Sequence, residues 1–164
     1  MRVVLLSGIL AMIALAQASP ADDPPARQPS PEAMFGDLIG AIKATPGCLG
    51  VETGSTDSGK GVIFAWFENK AAAMKWYYSD AHQDLMKKFF PRGPSGRKPM
   101  AGVPDDAGPI MAIASITIVD PSTNRGSPFK QIAIELYQPL PGGLSVGGRF
   151  APDKVKIPSK KSEK

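Results

Sequence analysis

Apolar residues recur at helical spacing in an early stretch of the chain. They are three or four positions apart and so share one face of a helix. The residues on this face are Phe35, Leu38, Ile39 and Ile42. Ser30-Pro31-Glu32 is typical of a helix start, and Pro46 cannot continue helical hydrogen bonding. The pattern therefore predicts a helix over Pro31–Ala44.

A second helical pattern follows residue 69 and is interrupted in the middle. Its apolar stripe consists of Met74, Tyr77, Tyr78, Ala81, Leu85 and Phe89. Ser79 and Asp80, which break the stripe, prefer helix caps to helix interiors, and Asp80 with Gln83 resembles a capping box. The pattern predicts two short helices, roughly 70–78 and 80–90, with His82 in the first turn of the second.

Four stretches have the apolar pattern of β-strands, and two of them alternate between apolar and polar positions. They are Cys48–Thr53, Val62–Phe67, Ile110–Val119 and Lys130–Tyr137, and Leu144–Val146 is a candidate for one more short strand. In Lys130–Tyr137 the alternation directs Ile132, Ile134 and Leu136 to the core. The element order predicts an α+β fold, with a four-stranded antiparallel sheet and two helices on one face.

The two ends of the chain differ in composition from the domain between them. Residues 1–18 have a basic start, an apolar run and the small-x-small pattern Ala16-Gln17-Ala18, which is typical of a secretory signal peptide cleaved after Ala18. The 13-residue apolar run is shorter than the roughly 20 residues that span a bilayer. We expect a linker at 19–29, the domain at 30–150, and secretion or export to the periplasm without stable membrane insertion.

The formal net charge of +4 is concentrated at the C-terminus, where Lys154–Lys164 contains five Lys and one Glu. Residues 151–164 are therefore interpreted as a basic, disordered tail. No basic face with interleaved aromatic residues indicates nucleic-acid binding. The single cysteine, Cys48, excludes an internal disulfide and is interpreted as a small hydrophobic residue. The Pro- and Gly-rich stretch Pro91–Pro109 is either a lid or a passive loop.

The segment from Pro46 to Phe89 resembles the antibiotic biosynthesis monooxygenase (ABM) family. The similar pieces are PGCLGVE at Pro46–Glu52, the strand end Trp66-Phe67-Glu68-Asn69, and WYYSDAHQ at Trp76–Gln83. The resemblance covers about a third of the chain. It implies a ferredoxin-like sandwich that pairs with a second copy into a dimeric α/β barrel, so we expect a homodimer.

One departure from the family pattern concerns the first strand. Family members begin with a strand where this chain has the Pro-rich linker, and proline is excluded from central strands. We therefore hypothesise a circular permutation in which Lys130–Tyr137 fills the missing central slot. The predicted sheet order is 110–119, 130–137, 62–67, 48–53.

The resemblance also implies an activity, the oxidation of a small aromatic or quinol-type substrate by dioxygen without a cofactor. His82 is the candidate catalytic acid or base, because its ordinary pKa lies near neutral pH. The candidate substrate-binding residues are Trp66, Asn69, Trp76, Tyr77 and Tyr78. The spacing of Trp76 and His82 does not fit haem degradation, and the sequence offers no metal site.

The alternative is a non-catalytic module that binds a small apolar or aromatic molecule or serves as a structural dimer. The same aromatic residues are also what a core requires, and a first-turn histidine is often a cap or a surface residue. The sequence leaves both function classes open.

Overall fold

The structure is a computed structural model that describes residues 31–90, 98–124 and 128–157. The elements are α1 (Pro31–Ala44), β1 (Cys48–Ser55), β2 (Gly61–Phe67), α2 (Lys70–Tyr77), α3 (Asp80–Phe89), β3 (Ile110–Ile118), a 3-10 turn (Pro121–Thr123) and β4 (Phe129–Tyr137). The predicted elements are therefore confirmed to within about two residues, except for Leu144–Val146, which forms no strand.

The four strands form one antiparallel sheet in the order β1-β2-β3-β4, and the sheet does not close into a barrel. The predicted order is wrong, because β4 pairs only with β3 and lies at an edge, away from β2. The circular permutation is thereby overturned. β4 pairs with β3 in both orders, and the difference is that β3, not β4, pairs with β2. From Ile110 to Ala114 β3 is apolar on both faces, which suits a central strand, whereas β4 alternates between apolar and polar residues.

The helices lie on one face of the sheet and enclose the core. Three residues of α1 face inward at the predicted spacing and are buried: Phe35, Ile39 and Ile42. They belong to one buried cluster with Val51 of β1, with Ile63, Ala65 and Phe67 of β2, and with Ile116 of β3. The α+β architecture expected from the sequence is confirmed.

The predicted break in the second helical stretch is confirmed and has two caps. The Asn69 side chain accepts a hydrogen bond from the backbone N–H of Ala72 and caps α2. Ser79, not the predicted Asp80, caps α3, and its hydroxyl accepts from the backbone N–H of His82. Each cap satisfies a backbone donor that has no helical partner.

The opposite face of the sheet is partly covered by the C-terminal segment 149–157. Phe150 packs edge-on against Phe64 and Trp66, with ring centroids 4.8 and 5.1 Å apart. Val155 is 1% exposed, and the Arg149 guanidinium donates to its carbonyl oxygen and to those of Pro152 and Asp153. Residues 151–157 are thus packed on the sheet rather than forming the expected disordered tail. Residues 158–164 lie outside the described part.

The expected signal peptide and linker, residues 1–29, also lie outside the described residues. Within the described ranges, no helix has the length and apolar character required to cross a membrane.

Candidate functional site

A cavity of about 540 Å³ lies between the helices and the sheet. Its walls come from all three helices, from β2, β3 and β4, and from the loop that precedes β3. Nearly all the described lining residues are aliphatic or aromatic, and the only one that titrates near neutral pH is His82. A largely apolar cavity of this size with a few polar groups is typical of sites for small molecules.

The cavity exists because small side chains occupy the middle of the sheet beneath the helices. Ala65 of β2 lies directly opposite Ala112 of β3, and Ala114 follows two positions along β3 on the same face. Large side chains surround these alanines, including Phe67, Phe89 and Phe129. The helices rest on the large residues and leave the space above the alanines unfilled.

His82 is oriented by a hydrogen bond across the break between the two helices. Its Nδ1 lies 2.8 Å from the backbone carbonyl oxygen of Tyr77, and the side-chain amide of Gln83 donates to the same oxygen at 2.6 Å. A carbonyl oxygen only accepts, so Nδ1 carries the proton in the neutral ring and Nε2 holds the lone pair. Among the described residues, none forms a hydrogen bond with Nε2.

The environment of His82 favours the neutral ring. Burial lowers its pKa below the ordinary value, and the hydrogen bond to the Tyr77 carbonyl opposes this shift without cancelling it. Removal from water penalises the charged imidazolium, and no carboxylate among the described residues contributes an opposing shift. At neutral pH the Nε2 of His82 is therefore available to accept a proton.

Two predicted aromatic residues line the cavity beside His82. The Tyr77 ring lies 4.9 Å from the imidazole ring, and the Trp76 ring lies 5.4 Å away in an edge-on arrangement. Both distances join ring centroids and are within the range of favourable aromatic contacts. The structure therefore brings together three of the six predicted site residues: Trp76, Tyr77 and His82.

The other three predicted site residues lie elsewhere. Trp66 is on the opposite face of the sheet, 3% exposed beneath Phe150. Asn69 uses its side-chain oxygen as the cap of α2. Tyr78 is 61% exposed and contacts the ring of Tyr77 from outside the cavity. The alternation of side chains along a strand explains the position of Trp66, because a residue adjacent to a core-facing residue points to the other face of the sheet.

The loop before β3 contributes Pro99 and Met100 to the cavity wall. Met100 has φ 54°, a left-handed conformation that is uncommon for a residue other than glycine. Lys70 at the start of α2 holds the following part of the loop, because its ammonium donates to the Val103 carbonyl at 2.7 Å and to Asp105 at 2.8 Å. Residues 91–97, the first part of the proposed lid, lie outside the described residues.

Sequence reasoning did not identify the alanines of the cavity floor or the Met100 wall. The alanines leave a signal, because Ala65, Ala112 and Ala114 are the small members of otherwise bulky strands. The sequence gives no such signal for Met100, because the conformation of a loop depends on its tertiary contacts.

A more open depression of about 630 Å³ lies between α1 and α3 and has charged surface residues such as Asp37, Asp84 and Lys88. It contains none of the predicted site residues.

The described part of the chain contains neither a cluster of metal ligands nor a reactive thiol. No group of three or more His, Cys, Asp or Glu residues there could hold a metal ion. Cys48 is half-buried, donates weakly to the Gly50 carbonyl, and has a pKa raised by burial, which favours the unreactive thiol.

Comparisons with protein-family models, with curated proteins and with solved structures find no match to this chain. Its function must therefore be argued from the cavity and from the residues around it.

Proposed function

We propose that this protein binds a small aromatic molecule in the cavity between the helices and the sheet, with a hydroxyl group of the ligand at His82. The observation that carries the proposal is the single neutral imidazole in an otherwise apolar cavity of about 540 Å³. The aromatic side chains favour a flat, apolar ligand, and Nε2 favours one hydrogen-bond donor. A phenol has both properties.

The cost of leaving a buried polar group without a hydrogen bond makes the site selective for a ligand with a hydroxyl group. A ligand without a donor leaves the imidazole without a hydrogen-bond partner and forfeits about 1 kcal/mol or more of binding free energy. A charged ligand is disfavoured, because few polar groups in the described wall could compensate for its lost hydration. The site should therefore prefer a neutral phenol to the matching benzoate or to the matching hydrocarbon.

The test is a titration with the neutral fluorophore N-phenyl-1-naphthylamine, followed by its displacement with 2-naphthol and with naphthalene. We expect saturable binding with about one site per chain, and at least about a fivefold preference for 2-naphthol over naphthalene. His82→Leu should remove the preference while retaining naphthalene binding. Equal displacement by the two compounds in the wild-type protein would contradict the role of His82.

Two substitutions in one strand test the location. Ala114→Phe fills the cavity floor, whereas Ser115→Phe adds the same ring on the opposite face of β3. We expect the first to abolish fluorophore binding and the second to retain it. Ala114→Leu, which adds less volume, should reduce the affinity by an intermediate amount. Thermal unfolding of each variant establishes that it is folded.

The second candidate function is cofactor-independent monooxygenation of a quinol bound in this cavity. It is supported by the neutral His82 and by the resemblance of Pro46–Phe89 to the ABM family. His82 Nε2 would take the proton of the substrate hydroxyl and make the ring a better reductant. One atom of dioxygen then enters the ring and the other leaves as water, so hydroquinone plus O2 gives hydroxybenzoquinone plus water. Both electron pairs come from the substrate.

Oxygen consumption with a panel of quinols and catechols tests this second function. We expect uptake in the wild-type protein and at least about a hundredfold slower uptake in His82→Gln, which can still hydrogen-bond but cannot accept a proton at neutral pH. Trp66→Phe, on the far face of the sheet, is the matched control and should retain the rate. Fluorophore binding without oxygen uptake would favour the non-catalytic binding protein.

We also propose that the protein acts outside the cytoplasm, as the signal-peptide pattern of residues 1–18 suggests. The mass of the protein recovered from a secreting cell tests the cleavage. An N-terminus at Ser19 is expected, and recovery of a membrane-bound chain that still carries residues 1–18 would contradict the proposal.

A further inference from the structure

The wall of the cavity is incomplete along β4. Ile134 and Leu136 line the cavity, yet they are 64% and 41% exposed. The sequence pattern directs both side chains to the core, and they do lie on the helical face of the sheet. The aromatic contacts of α1 and α3 with β4 are at its first residue, Phe129, through Phe35 and Phe89, whereas Ile134 and Leu136 lie towards the other end of the strand. A ligand in the cavity would therefore contact water along this side.

The exposed edge of β4 has few features that protect an edge strand. Lys130, next to the first residue of the strand, is its only lysine, and from Gln131 to Tyr137 the strand contains neither proline nor lysine, the residues with which natural edge strands prevent pairing. The opposite edge of the sheet, β1, is different, because its exposed positions are polar: Glu52 and Ser55. Exposed apolar side chains on the sheet are thus concentrated on β4.

After residue 18, the segments outside the described residues contain few apolar side chains that could cover this edge. Beyond the signal-peptide stretch, the undescribed segments are residues 19–30, 91–97, 125–127 and 158–164, and none contains an aliphatic residue larger than alanine, apart from proline, or any aromatic residue. The opposite face of the sheet is partly covered by Phe150 and Pro152, which contact β2 and β1. The surface beside the cavity that lacks cover is therefore β4.

We infer that two copies of the chain pair antiparallel through β4, centred on Ala133, and that each copy completes the cavity wall of the other. This inference rests on the proposed ligand-binding function. In this register Ile132 lies opposite the partner's Ile134, and Gln131 lies opposite the partner's Glu135. Ile132 and Ile134 of the two copies then form an apolar row, Lys130 lies opposite the partner's Leu136, and no like charges are opposed.

Cross-linking tests this register directly, because residue 133 is the only residue that lies opposite the same residue of the partner. Cα atoms of directly opposed residues are about 4.5–5.5 Å apart, within the range of a disulfide. Two copies of residue 131 would be about 13 Å apart, four residues along the strand. In a Cys48→Ser background, Ala133→Cys should therefore form a disulfide-linked dimer under mild oxidation, and Gln131→Cys should not.

A matched pair of charge substitutions tests the dimer itself. Ile134→Lys places a charge in the inferred interface, and Leu144→Lys places one at a position that is 92% exposed and lies outside β4, which ends at Tyr137. By sedimentation equilibrium, we expect Ile134→Lys to raise the dimer dissociation constant at least about tenfold and Leu144→Lys less than about twofold. The chain from residue 19 onward, which contains every described residue, is used throughout.

The outcomes separate this inference from the proposed function. A monomeric wild-type protein, or cross-linking through Gln131→Cys in place of Ala133→Cys, overturns the pairing. If the cross-linked Ala133→Cys dimer and the same protein, reduced and diluted to the monomer, bind N-phenyl-1-naphthylamine equally tightly, the partner does not complete the cavity. A cross-linked dimer that binds no fluorophore or phenol overturns the proposed function, while the pairing through β4 stands.

Discussion

The Nδ1 atom of His82 lies 2.8 Å from the backbone carbonyl oxygen of Tyr77, across the break between two helices. The carbonyl belongs to the last residue of α2, and the imidazole belongs to the first turn of α3. A continuous helix would commit this carbonyl to an amide four residues later. The break at Ser79 therefore makes the carbonyl available to hold the ring at the cavity wall.

The first prediction concerns the pH dependence of stability. Burial lowers the pKa of His82, so between about pH 6.5 and that lowered pKa the unfolded chain binds a proton that the folded chain does not. The free energy of unfolding should be highest above about pH 6.5 and should decrease as the pH falls towards the folded-state pKa. Urea unfolding at a series of pH values measures this slope.

His82→Gln is the control for that slope and should flatten it, because glutamine does not titrate. Asp105 and Asp120 have lowered pKa values and so affect stability only at more acidic pH. Since His82 is the only histidine, the ¹⁵N NMR spectrum of its ring reports the pKa and the tautomer directly. A pKa above 6.5, or a proton on Nε2 in the neutral ring, would contradict the structure.

The second prediction concerns the cap of α3. Ser79→Ala removes the acceptor for the His82 backbone N–H and should lower the free energy of unfolding by about 1 kcal/mol. Because fraying of this turn also releases the ring, phenol binding should weaken as well. Asn69→Ala removes the cap of α2 at a similar cost in stability but should have a smaller effect on the His82 resonances. Equal effects of the two variants on the ring would count against the prediction.

The third prediction concerns Gly47, in the turn before β1. Its φ of +88° favours glycine, and an added Cβ would lie 2.5 Å from the Cβ of Ala72. Gly47→Ala should therefore destabilise the fold by about 1–2 kcal/mol or more, as measured by urea unfolding. Gly54→Ala in β1 is the control, because nothing lies within 4 Å of its added Cβ. Ala72→Gly in the Gly47→Ala background should recover part of the loss.

The fourth prediction concerns the C-terminal segment that covers Trp66. Phe150→Ala should expose the indole of Trp66 and shift its fluorescence to longer wavelength, because Phe150 packs edge-on against it. A Trp76→Phe background leaves Trp66 as the only tryptophan. Leu144→Ala, at a 92% exposed position, should leave the spectrum unchanged. An unshifted spectrum in Phe150→Ala would mean that residues 149–157 do not cover this face.

Local sequence chemistry predicted the helices and strands of this protein. Pro31 at the start of α1, the cap-forming pair Ser79-Asp80 between α2 and α3, and the alternation in β1 and β4 act within a few residues. The break before His82 follows from the same local competition between cap and helix interior. These features could be inferred without a structure because their causes lie in adjacent residues.

The candidate site was predictable only in part. Trp76, Tyr77 and His82 are neighbours along the chain, so a shared cavity wall is a short-range consequence of the helix break. The cavity floor at Ala65 and Ala112 depends on which strand pairs with which and in what register. A shift of one residue in that pairing would turn a different set of side chains towards the helices.

The sequence alone determined where the chain is helical and where it is extended, because helix caps and side-chain periodicity are local. The tertiary structure decided that β4 takes the edge rather than the centre of the sheet, and that Trp66 lies beneath Phe150 rather than beside His82. The hydrophobic pattern of a strand specifies which side chains share a face. It does not specify the neighbouring strand, which depends on loop closure and on packing between distant residues.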